Sequence, residues 1–360
     1  MKKRYAFMDV VRLFAMLGIV YYHMVVSLYL CGIRQYESIS PLFENNNIHV
    51  ATVGVGLFFM ISGAGLMLST KGKAELNLKD YYFKRFTKIL IPFYLVYVLY
   101  LITFMLLTKQ GLDAVYDRNV SPFSFIFTLL GMDAYVSSFG IPSFSLGIGE
   151  WFLGALVMMY IIFPLLRWGL RKNKWITLGI MIIYYIIILI TYPLMPYADT
   201  VPGFVNFTCK VFEFFLGMFL IMVIDDIPKV VKLLFGIPIV FFLIFPFKLT
   251  LNMNLLILIE NISFFMFISG LEEVFTKFPK IMKTIAFLCG YTYEMFLVHH
   301  VTIDYITLQH IGVPFSNKDI LFLFVKEFLA IIIITLLVKG LLALPGITKK
   351  FILSTEAKKQ

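Results

Sequence analysis

Charge is scarce in this sequence: Asp, Glu, Lys and Arg together make up 14% of the 360 residues, against roughly a quarter in a soluble domain. With 60% of residues apolar, that shortage excludes a chain solvated on all sides by water. Cysteine is scarcer still. Cys31, Cys209 and Cys289 lie far apart with no C-x-x-C pair, which argues against a disulfide framework or a zinc knuckle; no metal is expected. Acidic residues are outnumbered 21 to 31 by basic ones, for a net charge of +10. The basic residues fall in short clusters between apolar runs, where the positive-inside effect places them. The excess therefore reports membrane topology, and no nucleic-acid partner is expected.

What the sequence has in quantity is apolar stretches of about twenty residues, the length that crosses a hydrocarbon core. They suggest spans near 7–30, 48–69, 84–107, 150–168, 174–193, 205–224, 231–248, 251–270, 284–305 and 320–342. The predicted fold class is all-α, a polytopic integral membrane protein of about ten transmembrane helices. Starting with the N-terminus inside, 23 of the 31 Lys and Arg fall in inner segments, five in outer ones and three within spans. That bias predicts both termini in the cytoplasm and a multi-pass protein of the cytoplasmic membrane. One transmembrane domain over 1–345 and a basic cytoplasmic tail over 346–360 complete the predicted organisation. The basic N-terminus is expected to lead into an uncleaved first span, since Asp9 and Arg12 interrupt the apolar run and no A-x-A site follows. The long connection over 108–149 is rich in aromatic residues, which suits either anchoring at the headgroup level or stacking on sugar rings.

The first span carries Asp9, Arg12 and, eleven residues later, His23. Eleven steps of 100° come within about 20° of three full turns and rise about 16 Å. Arg12 and His23 therefore share a face, with Asp9 one turn before Arg12 in reach of it. A carboxylate and a guanidinium at the mouth, and an imidazole near mid-bilayer, need a polar cavity or partners, because intramembrane ionisable groups are costly. A snorkelling anchor plus one interhelical histidine hydrogen bond is the plainer account of the same residues.

Elsewhere, Phe58, Phe59, Ser62 and Gly63 run an aromatic pair into small residues that permit close helix approach. Arg85 and Lys88 share a face ahead of Pro92 and suit either phosphate binding or positive-inside anchoring. Glu150 opens the fourth span beside Trp151 without a local partner, whereas Lys210 and Glu213 in the sixth are spaced to neutralise each other. His299 and His300 stand at the expected outer end of the ninth span with Asp304 one turn on. Adjacent histidines point about 100° apart, so the two are not expected to face one cavity, nor to form a metal site with Asp304.

These motifs together resemble acyltransferase family 3, integral membrane O-acyltransferases that modify bacterial surface glycans and other hydroxyl compounds. The resemblance rests on Asp-x-x-Arg and Arg-x10-His (Asp9, Arg12, His23), F-F-x-x-S-G (Phe58, Phe59, Ser62, Gly63) and an Arg-x-x-Arg before a proline. It continues with Trp-Phe-Leu (Trp151, Phe152, Leu153) and S-Y-x-x-Y-L-x-H (Thr292, Tyr293, Phe296, Leu297, His299). Lys88 replaces the second arginine of its motif, so charge is kept and the planar fork is lost. The resemblance implies an acyl-CoA donor, usually acetyl-CoA, entering from the cytoplasm, and an acceptor hydroxyl on a polysaccharide or lipid-linked glycan at the outer leaflet. It implies catalytic candidates His23, Arg12, Asp9 and Glu150, and donor-binding candidates Arg12, Arg85, Lys88 and Ser62. Phe59, Gly63, Trp151, Tyr293 and His299 are its further motif positions. A histidine suits the work as general base or as acyl acceptor. The competing reading is a transporter or flippase of a lipid-linked glycan, which ten spans with intramembrane charges also serve.

Overall fold

The computed structural model describes residues 4–33, 50–111, 120–244, 251–313 and 315–344. Their regular structure is all helix, with no strand among the described residues. In chain order the principal helices are α1 (Ala6–Leu30), α2 (Val50–Thr70), α3 (Leu78–Thr108), α4 (Glu150–Lys172), α5 (Lys174–Thr191), α6 (Phe207–Val223), α7 (Gly236–Ile244), α8 (Met253–Gly270), α9 (Pro279–Leu288), α10 (Thr292–Leu308) and α11 (Asn317–Ala343). Among the described residues seven helices are long and apolar enough to cross a membrane, or eight if the bent pair α9 and α10 makes one span.

Every expected span coincides with helix, but two differ from the sequence reading. The stretch expected over 284–305 is two helices meeting at 55°, because Cys289, Gly290 and Tyr291 interrupt the ladder between them. The stretch expected over 231–248 is broken at Phe235 into Lys229–Leu234 and α7, and its last four residues lie outside the described ones. The predicted tail over 346–360 also lies outside them.

The bundle is centred on α2 and α6, two helices buried along most of their length. They approach so closely that a Cβ on Gly63 would stand 2.2 Å from the Phe214 carbonyl oxygen, and one on Gly217 would stand 1.9 Å from that of Met60. Small residues at a helix crossing allow this approach where lipid provides no hydrophobic drive between helices.

Two prolines sit inside helices, Pro92 in α3 and Pro164 in α4. Proline lacks an N–H and pushes aside the preceding turn, leaving carbonyls there unpaired. Away from water those carbonyls need other donors, and tyrosines provide them. The Tyr81 and Tyr82 hydroxyls donate to the Tyr160 and Ile161 oxygens at 3.0 and 2.9 Å. Tyr293 donates to the Ile89 oxygen at 2.7 Å. The prolines thus become the points at which α3 is tied to α4 and to α10.

The start of α1 is held from far along the chain. Glu272 accepts the backbone N–H groups of Ala6 and Phe7 at 2.9 and 2.7 Å, capping a helix whose Tyr5 N-cap makes no side-chain cap bond. A carboxylate suits this position, where the helix dipole is positive. The Tyr5 hydroxyl donates to Asp225 at 2.9 Å.

Candidate functional site

A cavity of about 1030 Å³ opens where α1 and α3 begin and where α11 ends. Its wall is strongly basic. Arg4 and Arg12 line it from α1 and the residues before it, Lys79, Lys84, Arg85 and Lys88 from α3, and Lys339 from α11. Against these seven cations stand three carboxylates, Asp9, Asp80 and Glu294. Asp9 and Glu294 pair with cations of this wall. Asp9 lies 2.7 Å from Arg4 and 3.9 Å from Arg12, and Glu294 lies 2.7 Å from Lys339. The expected Asp9–Arg12 pairing therefore exists, with Arg4 the nearer partner. Arg85 is steadied by a 3.2 Å hydrogen bond to Ser69 at the end of α2.

The sequence-predicted donor-binding residues Arg12, Arg85, Lys88 and Ser62 all line this one cavity. Tyr293 lines it too and, through Ile89, fixes α10 against α3. Sequence reading missed Lys339, Glu294 and Tyr160, which also face it. The i, i+3 spacing of Arg85 and Lys88 was a signal; Lys339 and Glu294 are 45 residues apart and gave none.

The inner end of the cavity is aromatic. Phe58, Phe152 and Phe296 all contribute to its wall, with Phe152 packed on Phe58 at 6.1 Å and on Phe296 at 5.0 Å between ring centroids. Phe59 and Trp151 pack nearby with their rings 6.3 Å apart and tilted by 49°. Beyond Phe296 the polar groups resume. Its ring lies 5.6 Å from that of His299, and His299 lies 5.0 Å from His23. His299 is fully buried, its Nδ1 2.7 Å from the Phe296 carbonyl. The path from basic mouth to His23 thus passes an aromatic plate one ring thick.

The pair His299 and His300 corrects the sequence reading twice. Since α10 starts at Thr292, both histidines sit mid-helix and not at its far end. Both also reach the same partner: His23 is 5.0 Å from His299 and 4.8 Å from His300, while those two rings are 6.3 Å apart. Adjacent side chains do diverge, and the His23 ring occupies the notch between them. No group of metal-ligating side chains that fits an ion occurs among the described residues.

Glu150 begins α4 just after Gly147 and Gly149, both with positive φ. Its side chain lies outside what is described. The preceding loop does reach the histidines, since a Cβ on Gly147 would stand 3.4 Å from His300 Nδ1. Lys210 and Glu213 form the expected pair, 2.6 Å apart and buried in α6 away from the cavity.

A comparison with protein families matches one, described as an acyltransferase domain, over residues 5–344. Comparisons with curated proteins and with solved structures give no match.

Proposed function

The chain belongs to acyltransferase family 3, and from that premise we propose that it is an O-acyltransferase. In this reading it moves an acyl group, acetyl by the family's habit, from cytoplasmic acyl-CoA to a hydroxyl of a cell-surface or exported glycan. One observation carries the reading. A cavity with a net excess of four positive charges, from seven cations and three carboxylates, stands one aromatic layer from a cluster of three imidazoles. Coenzyme A matches that polarity: its phosphates are anionic and its thioester lies at the end of a long, uncharged arm. At about 1030 Å³ the cavity is at the upper end of the range for small-molecule sites.

Arg12, Arg85 and Lys88 hold the phosphates, and Arg85 offers the planar fork that suits them. The thioester arm runs past Ser62 and displaces the Phe296 ring to bring its carbonyl to His23. At His23 the imidazole takes either the proton of the acceptor hydroxyl or the acyl group itself. In both routes the C–S bond breaks and an ester bond forms; in direct transfer the hydroxyl proton passes through His23 to the coenzyme A thiolate, whereas in the two-step route the thiolate takes the imidazole proton and the hydroxyl proton restores it. The acceptor approaches from the opposite end of the helices, keeping the two substrates apart until they meet at the histidines.

Mass spectrometry of surface polysaccharide from cells with and without the gene tests this reading. It predicts acyl-sized mass increments on glycan residues that vanish with the gene and return with its re-expression. Unchanged glycan masses, together with no coenzyme A release by the purified protein supplied with acetyl-CoA and that glycan, would refute it.

A further inference from the structure

The family motif ends at His299, yet the structure places a second, better exposed imidazole against His23. His300 packs on His23 at 4.8 Å with the rings nearly perpendicular, at 85°. Its Nδ1 lies 3.5 Å from Asp304 Oδ2, one turn further along α10. The other carboxylate oxygen, Oδ1, accepts from Ser27 Oγ at 3.2 Å, and Ser27 stands one turn beyond His23 on α1. Two neighbouring i, i+4 pairs, His23 with Ser27 and His300 with Asp304, are thereby tied across the helix interface.

Position separates the roles of these residues. Both helices run from the basic cavity, at Arg12 and Tyr293, through the histidines to Ser27 and Asp304. His300 and Asp304 thus lie on the side of His23 away from the cavity. Among the described residues their side chains are 33% and 42% exposed, whereas His299 is fully buried. The near approach of Gly147 leaves only backbone over one edge of the His300 ring.

Resting on the acyltransferase reading above, we propose that His300, oriented by Asp304, is the base that takes the proton of the acceptor hydroxyl, leaving His23 to receive the acyl group. A carboxylate 3.5 Å from Nδ1 favours the tautomer that carries its proton there and leaves the lone pair on Nε2, the arrangement a base needs. The steps balance. His23 attacks the thioester, the C–S bond breaks, and the imidazole proton passes to the departing thiolate. The acceptor hydroxyl then gives its proton to His300 as its oxygen attacks the acyl carbon. The C–N bond breaks, and that proton returns to the His23 nitrogen. His300 is a catalytic residue in this scheme and Asp304 a positioning residue.

The test compares two acceptors in nanodisc-reconstituted protein: the glycan hydroxyl, which needs a base, and hydroxylamine, whose neutral nitrogen attacks without one. His300→Gln should lower transfer to the hydroxyl about 10²–10⁴-fold, the usual worth of general base catalysis. Hydroxylamine-driven release of coenzyme A should stay within about threefold of the parent, and kcat/KM for acetyl-CoA should not move. Asp304→Asn should show the same split, with the loss in kcat, because an amide favours the wrong tautomer. Hydroxyl transfer by His300→Gln within about threefold of the parent would overturn the proposal. An equal loss of both reactions would overturn it as well, marking His300 as structural. A parent protein inactive toward both acceptors would instead bring down the acyltransferase reading on which the proposal rests.

Discussion

Reversing two charges at the cavity mouth, Arg85→Glu with Lys88→Glu, has a calculable effect on donor binding. Seven cations and three carboxylates line the wall, so two reversals take its formal charge from four positive to zero. Arg85 is half-buried and held by Ser69, so a phosphate contact there falls in the range of hydrogen bonds to charged groups, about 1.5–3 kcal/mol. Lys88 is exposed, and water screening reduces its share to about 0.2–1 kcal/mol. The two losses come to about 2–4 kcal/mol, a rise in the Kd for acetyl-CoA of roughly 30- to 1000-fold. Repulsion from the new carboxylates adds to it. Calorimetry in nanodiscs at fixed ionic strength is the assay, because added salt weakens both the attraction and the repulsion. Circular dichroism of the variant should match that of the parent, since neither side chain is part of the core. A Kd within about threefold of the parent would refute the reasoning and reduce both residues to topological anchors.

Two further predictions concern folding. Gly63→Ala sets a methyl group against the Phe214 carbonyl, where a Cβ would be 2.2 Å away; since backbone is the obstacle, we expect at least the 1–3 kcal/mol cost typical of overpacking (about 1–3), read as a lower melting temperature in detergent. In the connection before α4, burial pushes Asp133 up to about 7, well above an ordinary carboxylate at about 3.9. The folded state therefore holds this proton more tightly, so the stability it contributes declines as pH rises from about 4 to about 7 and the penalty stays constant above that. Asp133→Asn should accordingly raise the melting temperature at pH 8 more than at pH 5, and an equal gain at both pH values would contradict the assignment.

Much of the site was legible because it rests on helical periodicity. The 100° step alone put Arg12 and His23 on one face, and the cations of α3 announced themselves at i, i+3. Closure of the cavity was not legible, because Lys339 and Glu294 meet only through the packing of α11 on α10. Glu272 was invisible for a similar reason: its carboxylate caps α1 across 266 residues of chain. The break at Cys289–Tyr291 escaped an apolar-run reading, since the two helices taken together are still long and apolar enough to cross as one span. His300 was discounted by considering one flat wall, whereas a ring seated in a notch touches two diverging neighbours. Tyr293 stood out only as a motif position and Tyr81 and Tyr82 not at all, and the purpose of the three emerged only once the carbonyls around Pro164 and Pro92 were located.

The central claim is that acyl transfer runs through His23, and the direct measurement is transfer from labelled acetyl-CoA to glycan by His23→Ala and His23→Gln proteins at matched expression and folding. His23 lies beyond the aromatic plate and outside the basic wall, so both variants should bind acetyl-CoA with the parental Kd. Transfer should fall by about 10²-fold or more, to background, in both. Near-parental transfer by either variant would contradict the account and return His23 to a packing role between α1 and α10.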